Sequence, residues 1–235
     1  MRKLRKVMAL LLTLAMVMGL SVTAFAANTA TIKIYNLDEF AQIQYVQVIK
    51  ADPSTETGWS FTKEGANAYR ETFGGTSDGA KDQTIIWNLL KYSNPDLALP
   101  KGVETIEVSA SKISTALSRA TEYPSNTIIA KGTIASFEVS EAGVYAIKAT
   151  TRKEAEKLYA YDPMAAYVGF KYNNGTVEGL QDQTINAKKA DLIIDKTYDD
   201  EDGLVYIGKE LTYTINTVVP NISNVEKDKV TYKIK

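Results

Sequence analysis

Short runs in which apolar and polar residues alternate, each ended by turn-forming residues, constrain this chain most. Thr31-Ile32-Lys33-Ile34-Tyr35 is the first. Successive side chains of a strand point to opposite faces, so this run reads as a half-buried strand. Ile43 to Ile49 repeats the pattern, with Ile43, Tyr45 and the following odd positions on one face, until Asp52-Pro53-Ser54 breaks it. Asn36 to Phe40 would join the two as a hairpin-like pair. Further strands are expected at Asn126–Lys131, Ser136–Val139, Val144–Thr150, Ala165–Tyr172 and Gln183–Asn186. Two stretches have a helical period instead. Ile85, Ile86, Leu89 and Leu90 recur at three- and four-residue spacing between Asp82 and Asn94-Pro95, and Ile113, Ala116, Leu117 and Ala120 do so from Ser111. Gly58 to Gly79, rich in Gly, Thr and Ser, reads as a long decorated loop. The expected fold class is mainly β, with two short helices covering a sheet edge or face.

The chain opens with MRKLRK, runs almost purely apolar from Val7 to Leu20, and reaches Ala24-Phe25-Ala26. A basic head, an apolar core and a small-x-small site are the parts of a secretory signal peptide. The apolar core of about 14 residues is short of the roughly 20 needed to span a bilayer. Residues 1–26 are therefore read as a signal peptide, and 27–235 as the exported chain. Without the four basic leader residues the charge is about −5, which disfavours a nucleic-acid partner.

Neither Cys nor His occurs. Cys-His and Ser-His catalysis is therefore excluded, as are metal sites built on those side chains. An exported chain without disulfides needs another source of stability. Asp199-Asp200-Glu201-Asp202 lacks the alternating ligands and terminal Glu of a calcium loop, so it reads as a solvated turn. Gly74 to Gly79 lacks the Lys-Ser/Thr ending of a phosphate loop. No cofactor, metal or turnover is expected. Tyr35, Tyr45, Tyr145, Tyr167 and Tyr213 lie in alternating runs where packing accounts for them, which leaves Trp59 as the better candidate for stacking on a sugar.

A second unit begins near Ala190. Asp191 to Tyr198 has a strand pattern, and Leu211-Thr212-Tyr213-Thr214-Ile215 alternates strictly. Its 46 residues, 190–235, are few for an independent core, so the unit reads as incomplete at Lys235.

The ordered set ATIKIYNL, Glu141-Ala142-Gly143-Val144-Tyr145-Ala146-Ile147, Tyr161-Asp162-Pro163-Met164, Gln183-Thr184-Ile185-Asn186-Ala187-Lys188-Lys189, Asp195-Lys196 and Gly208-Lys209-Glu210-Leu211-Thr212-Tyr213 resembles a Gram-positive, sortase-assembled pilus shaft protein of the isopeptide-forming pilin family. The resemblance covers essentially the whole exported chain. It implies immunoglobulin-like β-sandwich domains: residues 27–189 as an N-terminal pilin-like domain and 190–235 as the start of a second. It also implies a structural subunit at the cell surface or in the cell wall, a pilus, with neighbouring pilin subunits, sortase and peptidoglycan as partners. Peptidoglycan would be reached through a C-terminal region not present here. A surface adhesin that binds a host glycan or matrix protein is the alternative.

In the family, sortase joins a C-terminal Thr to the Lys of a Val-Tyr-Pro-Lys-Asn motif at the end of the first domain. The matching stretch here is Ile185-Asn186-Ala187-Lys188-Lys189. Lys188 is thus the implied linkage acceptor, although the Tyr, Pro and Asn of that motif are replaced. Lys196, after Leu192-Ile193-Ile194, matches the Lys that forms an internal isopeptide bond with an Asn; its Asn and helper acid would lie beyond Lys235. Lys33 is a lesser counterpart in the first domain. Burial favours the neutral amine such a reaction needs, and a protonated carboxylic acid can polarise the amide. Closing a loop of order 100 residues covalently is worth roughly 4–5 kcal/mol on a chain-entropy argument.

Overall fold

The computed structural model describes residues 29–74, 79–123, 126–152, 157–173, 176–192, 194–199 and 212–217. The stretch read as a signal peptide, the acidic run after Asp199 and the segment from 218 onward lie outside the described residues. A three-stranded sheet has β1 (Ala30–Tyr35) at its centre, flanked by β5 (Ala135–Val139), antiparallel, and β11 (Gln183–Asn186), parallel. A larger sheet runs β3 (Trp59–Phe61), β2 (Gln42–Ala51), β6 (Gly143–Thr150), β8 (Met164–Val168), with β4 (Asn126–Ile129) also paired to β2. The chain is mainly β, as its alternating runs require.

The two sheets face one another across a core. Ile32 and Ile34 of β1, Phe137 of β5, Ile43 of β2, Tyr145 and Ile147 of β6, and Met164 and Val168 of β8 meet there. Tyr45 stacks on Phe137 with ring centroids 3.6 Å apart. The intervening residues of the larger sheet, among them Val46, Val48, Val144, Ala146 and Tyr167, point the other way into a second core. Helices α1 (Lys63–Phe73), α2 (Gly79–Ser93) and α3 (Ala110–Ala120) close that side, through Tyr69, Ile86, Leu89, Ala116 and Leu117. The larger sheet is therefore buried on both faces, which is why β6 is buried from Gly143 to Ile147 instead of alternating.

Several local expectations change. Among the described residues there are three helices rather than two, since Lys63–Phe73, read as loop, is helical. Thr62 caps its first turn by accepting from the Gly65 N–H at 3.1 Å, and Gly74, at φ 71°, ends it. β1 and β2 do not pair as a hairpin; they belong to different sheets. Asn36 (φ 64°) and Phe40 (φ 63°) turn the chain between the sheets, with Leu37 fully buried. The odd-position face of β2 also fails beyond Gln47, because a register shift between Gln47 and Ile49 turns Ile49 into the helix-side core. The strand read across Ala165–Tyr172 is interrupted at Gly169, and β9 (Phe170–Asn173) pairs with β10 (Thr176–Leu180) as a separate ribbon.

Candidate functional site

Strand directions collect one group of connections at one pole: the β1–β2 crossover, the β4–β5 turn, the segment between β6 and β8, and the exit from β11. Two short strands form a ladder there. β7 (Leu158–Tyr161) pairs antiparallel with β12 (Lys189–Leu192), with Lys189 opposite Tyr161 and Leu192 opposite Leu158. Residues 190–192, assigned by pattern to the second unit, are thus hydrogen-bonded to β7. Among the described residues, the exposed large hydrophobics Tyr35, Phe40, Ile129, Ile134 and Leu158 all lie at this pole.

The exit from β11 is fastened on both sides. The Ala187 N–H donates to the Tyr35 carbonyl at 2.9 Å, and Asn36 Nδ2 donates to the Ala187 carbonyl at 2.8 Å. The Asp162 N–H donates to the Lys188 carbonyl at 3.1 Å. Lys189 is tied down through its side chain: Nζ donates to the Leu37 carbonyl at 3.1 Å and lies 4.4 Å from the centroid of the Tyr159 ring. Lys188, between these anchors, is exposed. Two adjacent lysines therefore have different chemistry, one amine spent on a carbonyl and a ring, the other facing solvent.

Beneath Lys189 lies a small polar cluster. The Tyr161 hydroxyl donates to Asp38 Oδ1 in a very short hydrogen bond and accepts from the Asp38 N–H at 2.8 Å. Thr151 Oγ1 lies 3.3 Å from Asp38 Oδ1 and accepts from the Tyr159 N–H at 3.0 Å. Burial pushes the Tyr161 hydroxyl above its ordinary range, and the hydrogen bond to Asp38 adds to this. Burial also raises the Asp162 carboxyl, against the opposing pull of the Lys188 charge.

The other candidates fall elsewhere. Lys196 lies on β13 (Ile194–Asp199), opposite Ile215 of β14 (Thr212–Thr217). Lys33 is exposed on the outer face of β1, because its neighbours Ile32 and Ile34 occupy the core. It is not the buried amine that an isopeptide bond requires. Trp59 is no sugar platform either: it is fully buried on β3, edge-on to Tyr167 with centroids 6.0 Å apart. Asp199 lies on β13, and the rest of the acidic run lies outside the described residues. Among the described residues no cluster of acidic, His or Cys side chains could hold a metal, and no helix is long and apolar enough to cross a membrane. Asp162 and β7 escaped the pattern reading. The signal was the short alternation Leu158-Tyr159-Ala160-Tyr161, at the limit of length for a strand.

No protein-family model matches the sequence, and no curated protein matches it. Three solved structures are similar in shape. The T6 backbone pilin of Streptococcus pyogenes serotype M6, described as a modular three-domain structure, is 12% identical, with a TM-score of 0.45 over 85% of this chain and 38% of that one. The major pilin SpaA of Corynebacterium diphtheriae is 16% identical, with a TM-score of 0.37 over 82% and 39%. The fimbrial protein FimP of Actinomyces oris is 13% identical, with a TM-score of 0.31 over 84% and 37%. The chain thus spans less than two-fifths of the length of each.

Proposed function

We propose that this chain is a structural subunit of a cell-wall-anchored pilus or surface stalk, polymerised by sortase through Lys188. One observation carries the reading: the lysine that matches the linkage motif has an exposed amine on a backbone fastened by β1, the β1–β2 crossover and Asp162. An acceptor nucleophile must be reachable and held in place, and Lys188 meets both requirements where Lys189 does not. The exposed apolar residues at the same pole are consistent with contact to a neighbouring subunit. The adhesin alternative loses its best aromatic candidate with the burial of Trp59.

The test is genetic and chemical. Peptides released from cell-wall polymers should contain Lys188 joined through Nζ to a C-terminal Thr, and Lys188→Arg should abolish the polymer ladder. Ladders that persist unchanged in Lys188→Arg would place the acceptor elsewhere.

Lys196 is the proposed isopeptide former of the second unit. In a protein carrying that unit whole, Lys attack on an Asn amide releases ammonia, a mass loss of about 17 Da per bond. Lys196→Ala should remove one such loss. An intact mass showing the same deficit in the variant would return Lys196 to an ordinary strand position.

A further inference from the structure

The register of the β7–β12 ladder places Asp162 directly opposite Lys188. Lys189 pairs with Tyr161, so the next residues along are Lys188 and Asp162, and the Asp162 N–H donates to the Lys188 carbonyl at 3.1 Å. Opposite residues of an antiparallel pair carry their side chains on the same face, with Cβ atoms about 5 Å apart. The following pairs on that face are Ala190 with Ala160 and Leu192 with Leu158. Tyr159, Tyr161, Lys189 and Asp191 occupy the opposite face, with Asp38 against Tyr161. Among the residues of the two paired segments on that face, Lys188 and Asp162 are the titratable ones, beside Ala190, Ala160, Leu192 and Leu158.

We propose that Asp162 is the proton acceptor for the Lys188 amine when that amine is acylated by a peptidyl thioester; this rests on Lys188 being the linkage acceptor. The ammonium first loses one proton to solvent. The neutral nitrogen attacks the thioester carbonyl and becomes positively charged and strongly acidic as the C–N bond forms. Asp162 takes that second proton, the C–S bond breaks, and its electron pair leaves on sulfur as thiolate. The products are the Nζ amide, the thiolate and protonated Asp162. A carboxylate raised by burial is a better base than one in open water.

The test uses the exported chain, residues 27–235, and a short synthetic peptide thioester ending in Thr. Acylation is counted lysine by lysine by mass spectrometry between pH 6 and 9. Lys188 should react faster than exposed Lys33 and keep its advantage toward lower pH. Asp162→Asn retains the backbone hydrogen bond to Lys188. It should slow Lys188 acylation about tenfold at pH 7, to the level of Lys33, and abolish the difference in pH profile. Asp162→Glu should restore most of the rate. Acylation in Asp162→Asn that matches or exceeds the unmodified protein would overturn the proposal, because the carboxylate would then only stabilise the ammonium. The assay needs no assembly enzyme, so it reads Asp162 separately from the cell-wall ladders that test Lys188.

Discussion

Two glycines sit where one methyl group would strike main-chain oxygen. A Cβ on Gly65 would lie 1.9 Å from the Val48 carbonyl oxygen, and one on Gly143 would lie 2.0 Å from that of Ile49. Gly65 lets α1 rest directly on β2, and Gly143 lets β6 begin against the shifted part of the same strand. Backbone cannot move aside as a flexible side chain can. Gly65→Ala and Gly143→Ala should each lower unfolding free energy by about 2–3 kcal/mol, as overpacking does. Gly74 is the contrast, with φ 71° and nothing within 4 Å of an added Cβ, so Gly74→Ala should cost only about 1 kcal/mol from backbone strain. Urea titrations of the three variants check the order. Equal losses at Gly65 and Gly74 would mean that the close approach to Val48 has no energetic weight.

At the scale of elements, legibility followed periodicity. β1, β5 and β11 line the edge of one core and present a polar outer face, so their two-residue alternation shows in the sequence. α2 and α3 carry aliphatic side chains at helical spacing and were legible for the same reason. α1 was not, because its core contacts come from Gly65, Ala66, Ala68 and Tyr69. Small residues that permit close packing leave little hydrophobic period. Lys188 was singled out as the one residue of the linkage motif that this chain retains. Asp162 was not, since its partnership depends on the register of a four-residue ladder between segments far apart in the chain. Pairing of that kind is decided by tertiary contacts and leaves no local pattern.

For the whole molecule, burial of tyrosine ties stability to alkaline pH. The hydroxyls of Tyr69, Tyr145 and Tyr161 are all pushed above the ordinary value of 10.0, chiefly by burial. Above that value the unfolded chain loses these protons while the folded one keeps them, so stability present below it falls as pH rises further. The fold should hold to about pH 10 and then unfold cooperatively. Circular dichroism and tyrosinate absorbance should change together for these residues; ionisation of all tyrosines with the fold intact would contradict their burial. The exit at Lys188 has a mechanical consequence too. If the link to the next subunit is made there, a pull along the fibre enters at Lys188 and leaves through β12 and β13. The two-sheet body with its three helices hangs beside that line of tension as a pendant. Its strands would then need to resist only thermal unfolding, and an outward Lys33 would be no weakness in such a fibre.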